Sequence, residues 1–76
     1  MQWIVNRLRG ELRVVARGPF PERLMNVCAQ NGISFWALEW RDGHTLSMTV
    51  RQEDRKQLWK LAERVGCTVE TEGSRG

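Results

Sequence analysis

The sequence predicts an α+β sandwich, one antiparallel four-stranded sheet with two helices on a single face. Three observations predict it. A shift of 34 residues lays one half of the chain on the other without a gap: Leu12 on Leu46, Val14 on Met48, Leu24 on Leu58, Cys28 on Ala62, Gly32 on Gly66, Ile33 on Cys67 and Phe35 on Val69. Each half reads as strand, helix, strand by the period of its apolar residues. Asp42-Gly43 joins two strand-like runs as a two-residue hairpin turn. Two such halves give βαββαβ, the ferredoxin-like sandwich. Right-handed crossovers place the strands in the order 4-1-3-2. A period of this length also occurs in helical repeat arrays, but those need two helices per period and each half here offers one.

The elements follow in order. Residues 1–10 form a short amphipathic segment carrying Trp3, Ile4, Val5 and Leu8 and closed by Gly10. One or two helical turns of that length need a surface to dock on. The sandwich itself spans residues 11–72. Glu11–Arg17 alternates as a strand with Leu12, Val14 and Ala16 on one face. Gly18-Pro19 breaks it, and Pro21 suits the first turn of a helix, where a missing N–H costs nothing. Leu24, Val27 and Cys28 share one face of that helix, and Asn31-Gly32 ends it. Gln52–Val65 is the second helix, with Leu58, Leu61, Ala62 and Val65 on its stripe and Glu53 and Asp54 at its positive end. Gly66 stops it, and Cys67–Glu72 alternates as the last strand. Residues 73–76 are a polar tail.

The second strand is apolar on both sides, and only one side can face the core. Its repeat partners and the Asp-Gly turn agree on an inward set of Ile33, Phe35, Ala37, Leu46, Met48 and Val50, with Ala37 opposite Met48. Trp36, Leu38 and Trp40 then lie on the helix-free face, opposite Thr49, Ser47 and Thr45. A tryptophan presents roughly 150–250 Å² of surface, and a wet apolar patch of that extent marks a binding surface. Trp36, Leu38 and Trp40 are therefore the candidate partner-binding residues, with Arg13 and Arg17 as polar neighbours. Two intramolecular covers compete with a partner. Trp3, Ile4 and Leu8 could fold across the sheet, or a bulge after Phe35 could turn Trp36 inward.

Other classes of function find less support. No Ser/His/acid or Cys/His constellation and no Gly-rich phosphate loop is present, so the domain is expected not to be an enzyme and to need no cofactor. Cys28 and Cys67 lack metal-ligand spacing and read as buried thiols, and no metal site is expected. The net charge of +3 and the early run Arg7, Arg9, Arg13 and Arg17 leave nucleic-acid binding as the alternative. RNA-binding relatives of this fold carry stacking aromatics on the two central strands, and those strands, ELRVVAR and TLSMTVR, contain none. No run approaches the roughly 20 apolar residues of a membrane span, and the start is not a secretory signal.

The run from Gly18 to Trp36, GPFPERLMNVCAQNGISFW, resembles the N-terminal region of the YqfD family, stage IV sporulation proteins of endospore-forming bacteria. Pro21, Glu22, Arg23, Asn26, Cys28, Gly32, Ile33 and Trp36 match its pattern, with Phe35 at its leucine. Trp3 and Gly10 fit its start, and Asp54 with Leu58 fits its second helix. Arg55 stands in place of an aromatic residue, and Trp40 in place of a basic one. The resemblance implies the small cytoplasmic domain of a longer membrane-tethered protein, joined through a basic linker that Ser74-Arg75-Gly76 would begin. The domain is then expected on the cytoplasmic side of the membrane, soluble by itself. Its expected role is an interaction or self-assembly module that meets a protein partner or a second copy through the helix-free face and the edge strand.

Overall fold

The computed structural model describes residues 10–72. Strand β1 is Glu11–Arg17, helix α1 Glu22–Gln30, β2 Phe35–Asp42 and β3 Thr45–Arg51. A single 3-10 turn, Gln52–Asp54, leads into helix α2, Arg55–Val65, and β4 is Thr68–Thr71. The strands lie side by side as β2-β3-β1-β4, all antiparallel. This is the expected ferredoxin-like order.

One core fills the space between sheet and helices. Leu12, Val14 and Ala16 of β1, Met48 and Val50 of β3 and Val69 of β4 meet Leu24 and Cys28 of α1 and Leu58, Leu61 and Ala62 of α2. Ile33 and Cys67, the repeat partners after each helix, close it at its two matching corners. The helix ends repeat as well. Gly32 and Gly66 both adopt a left-handed backbone, φ 74° and 79°. After each glycine the next N–H reaches back to the helix, Ile33 to the Cys28 carbonyl at 2.9 Å and Cys67 to the Ala62 carbonyl at 2.8 Å. Glycine takes that conformation without the cost a Cβ would add.

The hairpin departs from expectation in three places, the last a second register shift at Arg41, between the Trp40–Leu46 and Asp42–Thr45 pairs. The turn is Gly43-His44, one residue later than predicted, because Asp42 pairs with Thr45. The Asp42 carboxylate accepts the His44 N–H at 2.7 Å, an Asx turn that fixes the corner from within. The second departure is a bulge in β2. Phe35 faces Val50 and Trp36 faces Thr49, as predicted, but Glu39 then faces Ser47 and Trp40 faces Leu46. Ala37 and Leu38 together oppose Met48. Ala37 carries the irregularity, with φ at 56°.

Candidate functional site: a bulged edge strand pinned by Arg13

A bulge changes which face every later residue occupies, since side chains alternate with a period of two. Trp36 and Thr49 remain on the helix-free face. Glu39 joins them there, beside Ser47. Trp40 pairs with Leu46 and so belongs to the helix side, where the expected register had placed it opposite Thr45 on the free face. Ala37 is exposed and does not belong to the core. The predicted apolar triad is therefore not one patch. It wraps the β2 edge, Trp36 on one face and Trp40 on the other, with Leu38 at the bulge between them. The expected alternative, a bulge turning Trp36 inward, occurs one step later along the strand and leaves Trp36 where the unbulged register had it.

All three side chains stay in solvent, Trp36 at 37 %, Leu38 at 46 % and Trp40 at 49 % of full exposure. Only Phe35, at the start of β2, leans on the core. The strand is an edge, so nothing in the sheet covers its outer side.

Arg13 explains why the bulge sits where it does. Its guanidinium lies on the helix-free face and reaches across β3 to β2. Nη1 donates to the Ala37 carbonyl at 2.6 Å and to Thr49 Oγ1 at 2.9 Å. Nη2 donates to Ser47 Oγ at 3.1 Å and lies 3.6 Å from the Glu39 carboxylate. The bulge turns one carbonyl out of the ladder, and the planar fork of Arg13 takes it up together with two hydroxyls. Ser47 in turn donates to the Glu39 carbonyl at 3.3 Å, so this buried hydroxyl is satisfied on both sides.

The helix-free face is more closed than expected. Val15 and Ser47, at its middle, are both buried. Arg41, on β2 beyond the bulge, pairs with Glu72 at 2.7 Å, just past the far edge strand β4. Strands in a sheet lie about 4.8 Å apart, and β3 and β1 stand between these two edges. The contact is made by two long side chains reaching towards each other across the face. Hydrogen bonding to Arg41 holds the Glu72 carboxyl below its ordinary range. Arg17 pairs with Glu70 at 2.7 Å on the same face. The two predicted polar neighbours, Arg13 and Arg17, are thus both engaged inside the domain.

Two participants were not singled out in the sequence, Glu39 and Arg41, and a third, Ala37, was read as a core residue. A lone carboxylate and a lone arginine carry no spacing signal, and their partners stand more than twenty residues away. The proposed cover by Trp3, Ile4 and Leu8, and Arg7 and Arg9 of the alternative, lie outside the described residues. Cys28 and Cys67 are buried free thiols. Burial pushes the Cys28 thiol up to about 11 and raises Cys67 as well, so both hold their protons and lack thiolate reactivity at neutral pH. Among the described residues no group of His, Cys, Asp and Glu is placed to hold a metal ion, and no helix is long and apolar enough to cross a membrane.

No curated protein and no solved structure matches the chain. A family model does, the one described as "Putative stage IV sporulation protein YqfD", over residues 6–76. That span holds the whole sandwich, including the Pro-Glu-Arg start of α1, the glycine stops and the bulged strand. Matched over nearly its whole length, this chain belongs to the YqfD family of sporulation proteins.

Proposed function

We propose that the domain is a non-enzymatic interaction module of a membrane-tethered sporulation protein, held at the cytoplasmic side, and that a protein partner or a second copy grips its β2 edge. The observation that carries this reading is the exposure of Trp36, Leu38 and Trp40 along one edge strand. Burying these side chains in a contact would contribute several kcal/mol. The partner straddles the edge, because the bulge splits the two tryptophans between faces. Two features favour this over nucleic-acid binding. The apolar side chains are free, while Arg13 and Arg17 are taken up by Glu39, Glu70 and the bulge.

The test is a variant with Trp3, Trp36 and Trp59 changed to Phe, leaving Trp40 as the reporter, followed by acrylamide quenching over a dilution series. Strong quenching in the dilute chain that weakens with concentration identifies a second copy as the occupant. Strong quenching throughout directs the search to a different protein. Protection at every dilution would sink the reading, because Trp40 would then be covered within the monomer. Trp40→Lys is expected to keep the fold, costing under about 1 kcal/mol at a half-exposed site, and to abolish any association.

A further inference from the structure

A groove of about 490 Å³ opens at the opposite side of the domain, between the start of α2 and the end of the sheet. Leu12 and Thr71 form its sheet wall, where β4 stops beside β1. Gln52, Arg55, Lys56, Trp59 and Lys60 form its helix wall. These five recur at steps of three and four, so they make a single stripe along the 3-10 turn and the first turns of α2.

The chemistry of the stripe is one-sided. It carries three cations and no carboxylate. Of the two acids in the 3-10 turn before α2, Glu53 and Asp54, neither lines the groove, and Glu53 lies 3.8 Å from Arg51. Among the described residues Arg55, Lys56 and Lys60 make no ion pair. Three unneutralised positive groups around one concavity attract an anion and raise its local concentration. Trp59 adds a second requirement. It packs against the core while its indole forms part of the groove wall, so it is a half-buried aromatic wall beside the cations. Gln52 and Thr71 supply hydrogen-bonding groups at the rim. The volume falls within the roughly 300–1,000 Å³ of small-molecule sites.

We propose that this groove binds a small organic phosphate, its phosphate groups held by Arg55, Lys56 and Lys60 and its planar body resting on Trp59. Three cations match more than one phosphate, and the indole face selects an aromatic base over a plain sugar. A nucleoside triphosphate has both parts. The site is independent of the β2 edge, and neither reading depends on the other.

The test uses ATP, pyrophosphate and adenosine as probes. Changing Trp3, Trp36 and Trp40 to Phe leaves Trp59 as the sole tryptophan. ATP is expected to quench its fluorescence saturably, with affinity falling as salt is raised. Lys56→Gln combined with Lys60→Gln is expected to weaken binding at least about tenfold, the loss of two phosphate contacts. Pyrophosphate should bind several-fold more weakly than ATP, and adenosine not measurably. Absence of saturable ATP binding at millimolar concentration, or binding unchanged in the double lysine variant, would overturn the proposal. Equal affinity for pyrophosphate and ATP would overturn the role given to Trp59. Should the triple tryptophan variant lose its helical circular dichroism, calorimetry on the unaltered chain and the lysine variant decides the same points.

Discussion

Replacing Arg13 with Met removes the guanidinium while keeping most of the stem, and so isolates what the fork does. Three hydrogen bonds, at 2.6, 2.9 and 3.1 Å, and the ion pair to Glu39 are lost together. A hydrogen bond from a charged donor contributes about 1.5–3 kcal/mol, yet the three do not sum in full. The Arg13 side chain is 28 % exposed, Ser47 keeps its bond to the Glu39 carbonyl, and the Ala37 carbonyl can be hydrated. A net cost of about 2–3 kcal/mol follows. In a domain this small that lowers the melting temperature by roughly 10–20 °C. Thermal and urea unfolding followed by circular dichroism measure it. Amide exchange supplies the local readout: β2 beyond the bulge should exchange faster by more than β1 or β4. Arg13→Lys should recover less than half of the loss, since one ammonium cannot span three separated acceptors. A Met variant within about 0.5 kcal/mol of the parent, the range of an ordinary surface change, would refute the claim that Arg13 pins the bulge. So would exchange that rises uniformly.

Two further outcomes are expected. Ala37→Gly should stabilise the domain by about 0.5–1 kcal/mol, because alanine at φ 56° bears a left-handed strain that glycine does not; a urea midpoint that falls would mean that the bulge is built differently. Cys28 gives a pH dependence of definite sign. Its folded thiol is raised from 9.0 to about 11, so its contribution is complete below pH 9 and is lost as pH rises towards 11, where the unfolded chain releases the proton first. The loss is about 2–3 kcal/mol, read as a urea midpoint that drops across that window less steeply in Cys28→Ala than in the parent.

Whatever depends on short-range pattern was legible in the sequence. β1 has the predicted bounds, because Gly10 and Gly18-Pro19 punctuate an alternating run. The repeat paired Ile33 with Cys67 and Gly32 with Gly66, and both pairs occupy equivalent places in the structure. The bulge was not legible at its true position. Up to Trp36 the hairpin reads the same with or without it. The choice is made by Arg13, more than twenty residues away, whose fork rewards a carbonyl turned out of the ladder. The turn shifted by one residue for a related reason, since the Asp42 side chain caps the corner itself and holds its carboxyl below the ordinary range through the His44 N–H. Trp36, Leu38 and Trp40 were thus legible as exposed side chains, while the face of Trp40 and the parts played by Glu39 and Arg41 were not.

The two edges of the sheet are repeat partners, and they differ in what their matched positions carry. Trp36 corresponds to Glu70 and Leu38 to Glu72. On β4 and just past its end those positions are carboxylates that fasten Arg17 and Arg41, and the strand is only four residues long. On β2 they are apolar, unfastened, and part of an eight-residue strand. A long regular edge would invite a neighbouring strand to extend the sheet. The bulge forestalls that, because it breaks the ladder in mid-strand and spends one freed carbonyl on Arg13. Main-chain pairing is thereby disfavoured at the same place where side chains are left exposed. On the proposed reading, recognition at this edge would rest on tryptophan and leucine contacts, and it should respond to Trp36→Ala and Trp40→Ala far more than to a change in backbone register beyond Asp42.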